Sequence, residues 1–172
     1  GLVGADGETH HGCFDVLFLS EIPGFTVLCP ASFAELRSML RQAVFELDGP
    51  VAVRYPRGGE GVFQADTSDK PIVSLRQGSD VTLASYGILV NHLLEAAELL
   101  AADGIQAEVV KLFRVSPLEH DVVCDALGNR KRLLVLEDSF GAGCVGQRLA
   151  AILAEHGMAP EKLILKNLGK TY

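Results

Sequence analysis

The run Asp6-Gly7-Glu8-Thr9-His10-His11-Gly12 gathers an acid, a hydroxyl and two imidazoles in one short glycine-bounded segment. An imidazole donates to a phosphate or hydroxyl and moves protons near neutral pH. Asp6 is placed to orient such a ring or to accept from a substrate hydroxyl. The same residue types also make an ordinary polar turn, so the segment alone leaves both readings open. A metal site is not expected, because the spacing supplies no third ligand.

A second candidate lies where the apolar run Val51–Val53 breaks into Arg54-Tyr55-Pro56-Arg57-Gly58. Ligands of open α/β sheets sit outside the carboxyl ends of strands, and Arg57 stands there as a clamp for a phosphate; the alternative is a surface ion pair. Arg54 is less well placed, and no contact is assigned to it. A third segment, Gly141-Ala142-Gly143-Cys144-Val145-Gly146, has the GxGxxG spacing between a strand and a helix. The next strand ends in Lys166-Asn167 without an acid to hold a ribose. Close helix packing or an anion at the helix N-terminus is therefore expected, with a free-standing nucleotide-binding module as the alternative. Glu137 and Asp138 form a strand-end acid pair of a kind that is usually solvated.

These groups need elements to hold them. Phe14, Leu17 and Phe18 fit one face of a short helix that stops near Pro23, and Phe25–Cys29 is a short strand. Ser32 with Glu35 three residues on is a capping box. Leu36, Met39, Leu40, Ala43, Val44 and Leu47 continue it as a helix that ends before Gly49-Pro50. With Val51–Val53 this makes one parallel β-α-β unit. Two strands cannot cover their own outer edges, so residues 1 to about 60 are expected to be the tail of a larger α/β domain. Residues 61–78 carry mixed charge with Pro71 and two glycines and read as an irregular linker. Beyond them strands at 81–86, 107–113, 132–137 and 163–166 alternate with helices near 89–103, 118–127 and 144–156. That order predicts a doubly wound parallel sheet with helices on both faces.

Bulk properties narrow the partners. The chain has 172 residues, of which 48% are hydrophobic and 22% charged, so it can bury a core and is not a disordered segment. Its net charge of −7 repels a phosphate backbone, which argues against nucleic acid. No apolar run approaches the roughly 20 residues that span a bilayer. Cys13, Cys29, Cys124 and Cys144 form no CxxC pair and fit a reduced, cytoplasmic setting.

Taken in order, Asp6-Gly7-Glu8-Thr9-His10-His11-Gly12, Ile22-Pro23, Pro30-Ala31-Ser32 with Glu35-Leu36, Gly49-Pro50 and Arg54-Tyr55-Pro56-Arg57-Gly58 resemble the transketolase superfamily of thiamine-diphosphate enzymes. Within it they are most similar to the synthases that join pyruvate to glyceraldehyde 3-phosphate with loss of carbon dioxide. Transketolases themselves and the beta chains of α-keto acid dehydrogenases are the alternatives. The resemblance implies that 1–60 is the C-terminal part of a pyrimidine-binding domain, 61–78 a linker and 79–172 a transketolase C-terminal-like α/β domain. It implies thiamine diphosphate and magnesium held mainly by residues upstream of this chain, which alone is expected to be inactive. It further implies a homodimer, or association with the remaining parts of the same enzyme. By this resemblance His10 is the substrate-site histidine, Asp6 the acid beside it, and Arg57, with His10, the grip on the acceptor phosphate. Leu136-Glu137-Asp138-Ser139 departs from the family's commoner Glu-Glu-His or Glu-Glu-Asn run, which leaves residues 138 and 139 without an inherited role.

Overall fold

The computed structural model describes Val3 and residues 10–169; Asp6 lies outside them. Chain order is α1 (Asp15–Ser20), β1 (Thr26–Leu28), α2 (Phe33–Phe45), β2 (Val51–Val53), β3 (Ile72–Arg76), β4 (Val81–Tyr86), α3 (Val90–Ala102), β5 (Ala107–Leu112), β6 (Arg114–Ser116), α4 (His120–Leu127), β7 (Arg132–Leu136), α5 (Val145–Glu155) and β8 (Lys162–Lys166). Among the described residues the strands form two sheets, in the orders β2-β1-β6 and β3-β5-β4-β7-β8.

The larger sheet follows from its sequence pattern. β4, β5, β7 and β8 pair in parallel, as the strand–helix alternation requires. Side chains alternate across the sheet. Leu83 and Val109 pack with Leu93 and Ala97 of α3 on one face. Ala84 and Val110 pack with Val123 of α4 and Leu149 and Leu153 of α5 on the other. Fully burying each such side chain contributes about 1.5–3 kcal/mol before chain entropy is counted.

Three features differ from the sequence reading. The stretch read as an irregular linker contains β3, which pairs antiparallel with β5 and makes the sheet mixed at that edge. Its apolar residues, Ile72, Val73 and Leu75, are interrupted by Ser74 and fall short of a clear period, which is why the strand is hard to see. The run expected as one strand over 107–113 continues past Phe113 and splits, β5 staying in the large sheet and β6 crossing to the small one. Finally, the outer edge of β1 is not left bare. β1 pairs parallel with β2, Val27 facing Ala52, and antiparallel with β6, Leu28 facing Arg114. Phe113, between the two strands, is buried with Leu28 and Met39, and so contributes from the second half of the chain to the core of the first.

The capping box forms one of its two reciprocal bonds, and Glu35 reaches back one residue further, to Ala31, in place of the Ser32 amide. Ser32 Oγ accepts from the Glu35 amide at 3.1 Å, and Glu35 Oε2 accepts from the Ala31 amide at 2.9 Å. Glu35 does more than cap, because its other oxygen lies 2.6 Å from Lys111 Nζ of β5, with both side chains fully buried. Thr67 joins them, its hydroxyl donating to Glu35 Oε1 at 2.7 Å. Lys111 also sits 5.8 Å from the ring centre of Phe63 and 5.7 Å from that of Phe113. Burial pulls the lysine below its ordinary value while Glu35 pulls it back.

Candidate functional site

At the carboxyl end of β2 the backbone stays anchored to β1 for one further residue, the Arg54 amide donating to the Leu28 carbonyl at 2.8 Å. The chain then leaves the sheet through Tyr55-Pro56 and turns at Gly58, whose φ of +127° is a conformation that side chains resist. Arg57 is carried out on this turn, exposed. Glu60 closes it by accepting from the Phe33 amide at the start of α2, at 2.8 Å. Between the turn and α2 lies an open cavity of about 240 Å³, walled by Pro30, Phe33, Leu36, Tyr55, Pro56 and Ile88 among others.

His10 is also exposed, at the start of the continuous described stretch. The segments that carry His10 and Arg57 are joined by Arg54. The Arg54 side chain turns inward and is 7% exposed. Its Nη2 donates to the Gly12 carbonyl at 2.8 Å, its Nε to Asp15 Oδ1 at 2.8 Å, and its Nη1 lies 2.9 Å from Asp138 Oδ1. The guanidinium also stands 5.9 Å from the centre of the Tyr86 ring. Burial opposes its charge, and the two carboxylates more than offset this, raising its pKa. One buried cation thus ties the segment after His10, the start of α1 and the end of β7 to the strand end that precedes Arg57. Nearby, Phe14 stacks on Phe140 with ring centres 4.6 Å apart.

Sequence reasoning left Arg54 without a contact and expected Glu137 and Asp138 to be solvated. Both acids are buried instead, at 2% and 6% exposure. A signal was available, since a cation next to a strand end and an acid pair at another strand end of the same fold are complementary. The pairing was not readable, because nothing local says that the two ends meet.

The Gly141–Gly146 segment is closed to a nucleotide by Glu137, one of this acid pair. Glu137 accepts from the Val145 and Gly146 amides at 3.0 and 2.9 Å, filling the helix N-terminus where a phosphate would sit, and also from Ser139 Oγ at 2.9 Å and Tyr86 Oη at 3.2 Å. The Gly143 amide is taken by the Gln147 side chain at 2.9 Å. Gly146 is required for packing, because a Cβ there would stand 2.7 Å from a Leu165 methyl and 3.0 Å from Glu137. The anion is therefore built in, which disposes of the nucleotide-binding alternative.

Under Arg54 lies Cys29, whose thiol burial raises from its ordinary 9.0 to about 12. In the unfolded chain the thiol ionises first, so its contribution to stability is complete below pH 9 and lost as pH rises toward 12. Denaturation midpoints measured from pH 8 upward should fall, and Cys29→Ala should flatten that slope. An unchanged slope in the variant would exclude Cys29 as its source.

Family models place these features. The pyrimidine binding domain of transketolase matches residues 1–59, and the transketolase C-terminal domain matches residues 71–169. The chain belongs to the transketolase family. Relatives of this transketolase-family chain include the 1-deoxy-D-xylulose-5-phosphate synthase of Heliobacterium modesticaldum, 42% identical over 92% of this chain and 25% of the relative. Another is the synthase 1 of Geobacter sulfurreducens, 38% identical over 98% of this chain and 27% of the relative. The chain thus spans about a quarter of the length of these relatives. The fold is shared with a split-gene transketolase described as an inactive beta4 tetramer, with a TM-score of 0.78 and 24% identity over 95% of this chain and 54% of that one. It is shared also with a transketolase of Pichia stipitis, with a TM-score of 0.71 and 18% identity over 94% of this chain and 23% of that one.

The transketolase family depends on thiamine diphosphate, and two helix N-termini of this chain that could take up an anion are already occupied. Among the described residues the N-terminus of α5 is filled by Glu137 and that of α2 by Ser32, Glu35 and Glu60, which leaves neither helix free to cradle a diphosphate. No cluster of three metal-ligating side chains occurs among them either. No helix among them is long and apolar enough to cross a membrane.

Proposed function

We propose that this chain is part of a 1-deoxy-D-xylulose-5-phosphate synthase, in which it presents the acceptor-binding side of the active site. The reaction joins pyruvate to glyceraldehyde 3-phosphate with loss of carbon dioxide. Arg57 grips the acceptor phosphate, and His10, assisted by Asp6, serves that substrate's reacting end and reaches the same phosphate. Thiamine diphosphate supplies the carbanion chemistry when bound; it and magnesium are held mainly by residues upstream of this chain, so the piece alone is inactive. The observation that supports this reading is the Arg54 junction, which tethers the segment after His10 to the strand end that carries Arg57.

In this reading residues 1–60 are the end of the pyrimidine-binding domain, 61–78 the connection and 79–172 the C-terminal domain. The complete enzyme is a cytoplasmic homodimer. An association of this kind is supported by the outer face of α2, where Phe33, Leu40, Val44 and Phe45 are 47–78% exposed, with the exposed Tyr55 across the cavity from Phe33.

The test compares glyceraldehyde 3-phosphate with unphosphorylated glyceraldehyde in the complete enzyme. Arg57→Ala is expected to weaken the phosphorylated acceptor about 10- to 150-fold while leaving the other nearly unchanged, as loss of one charge-assisted hydrogen bond predicts. Lysine at 57 should rescue only in part, since it keeps the charge and loses the planar fork. His10→Ala should lower turnover more than it weakens the acceptor. An Arg57→Ala enzyme that keeps its full preference for the phosphorylated acceptor would reduce Arg57 to a structural residue.

A further inference from the structure

The segment after His10 rests on the loop that follows β7, and two contacts join them. Arg54 holds the Gly12 carbonyl through Nη2 at 2.8 Å and brings Nη1 to 2.9 Å from Asp138 Oδ1. Two residues further along each segment, the Phe14 ring stacks on Phe140 with the planes 7° apart. Gly12 stands two residues from His10, whereas Asp138 lies within residues 71–169, which match the C-terminal domain. A carboxylate of that second domain therefore acts, through one guanidinium, on the backbone beside the histidine assigned to the substrate.

Asp138 is held firmly on both sides. The Glu137 amide donates to the Lys166 carbonyl at 2.9 Å, and the Ser139 carbonyl accepts from the Leu168 amide at 3.0 Å. The Glu137 side chain is tied in turn to the Val145 and Gly146 amides of α5. The carboxylate is thus carried on a rigid strand end, which places a group more sharply than a free loop does. It is nearly as buried as Arg54, while Asp15 reaches water, so the Asp138 contact is the less screened of the two. The backbone of Arg54 is pinned separately, by the Leu28 carbonyl, so the path of β2 toward Arg57 does not depend on this acid. We propose that Asp138 is a positioning residue for the acceptor reaction, fixing Arg54 so that the segment bearing His10 is held in place for turnover. It touches no substrate, and the proposal rests on the role given to His10 above.

The test is steady-state kinetics on the complete enzyme with glyceraldehyde 3-phosphate and with unphosphorylated glyceraldehyde. Asp138→Ala should lower kcat about 10- to 100-fold with both acceptors, the cost of a misplaced reacting group, and keep the preference for the phosphorylated one. Asp138→Asn, which keeps the shape, should move kcat the same way by less, and Asp138→Glu, which restores the charge, should recover most of it. Ser139→Ala removes a hydrogen bond to Glu137 but leaves the Arg54–Asp138 contact in place, so it should keep kcat even where it lowers stability. In a His10→Ala background Asp138→Ala should cost little more, because residues that act as a unit are not additive. The proposal is overturned if a folded Asp138→Ala enzyme, or Asp138→Asn where alanine does not fold, turns over like its parent. It is overturned too if the acceptor preference is lost, or if the loss of turnover recurs in full without His10. Turnover that survives His10→Ala would instead overturn the role of His10, and this proposal with it.

Discussion

Arg54→Met is expected to lower folding stability by about 3–5 kcal/mol, the usual cost of removing one partner from a buried ion pair. Methionine keeps most of the apolar volume, so the loss is electrostatic. It leaves Asp138 charged at 8% side-chain exposure and the Gly12 carbonyl without its donor. Asp138→Asn should cost less, because it retains an acceptor for Nη1 while Asp15 still faces Nε. The order Arg54→Met, then Asp138→Asn, then Asp15→Asn is the quantity to measure by chemical denaturation. Asp15 comes last because it is already 26% exposed and water can replace it. A stability change in Arg54→Met within the range of ordinary surface substitutions would show that the junction holds nothing together. The same variant should also free the segment after His10, read as faster proteolysis there under conditions where the remainder of the protein stays folded.

Lys111→Met should be of similar size, about 3–5 kcal/mol, for the same reason and with a sharper control. Here both partners are fully buried, and Glu35 would keep its hydrogen bonds from Ala31 and Thr67 but lose its counter-charge. Pairing Lys111→Met with Glu35→Gln removes both charges and keeps one of the two acceptor oxygens that Ala31 and Thr67 use. The double variant should therefore be clearly more stable than the sum of the two single losses predicts, with a coupling in the range of about 0.5–3 kcal/mol found for residues in contact. Strict additivity would mean that the two charges do not interact.

What could be read in advance follows from how local each determinant is. The four parallel strands and the helices between them are set by periodicity and by turn residues within a dozen positions, and the Ser32–Glu35 box by a three-residue spacing. The family was legible because its motif residues are contiguous. The polar junctions were not, because each depends on a distant meeting. Lys111 stands in the apolar run Val109-Val110-Lys111-Leu112, and nothing local to that run names Glu35 as the anion that satisfies it. Arg54 was assigned no contact because it precedes a turn, yet its side chain turns inward to Asp15 and Asp138. β6 begins just past the end of the run read as a single strand over 107–113, and the switch at Phe113 has no sequence signal beyond its aromatic side chain. The roles of His10 and Arg57 came from resemblance and remain proposals, with Asp6 outside the described residues.

The pairing of Leu28 with Arg114 bears on how the polypeptide is made. During synthesis β1 can settle against β2 as soon as the short crossover through α2 is complete, but its other edge stays open until β6 has left the ribosome. In that interval an apolar strand offers unpaired backbone groups to any neighbouring chain, and the loop that must close is long, which slows the step. Lys111 and Phe113, which lock α2 from the far side, emerge in the same late stretch. The N-terminal sheet is therefore completed only after translation has passed into the second half of the sequence, and a nascent chain stalled before residue 114 is the species a chaperone would be expected to hold.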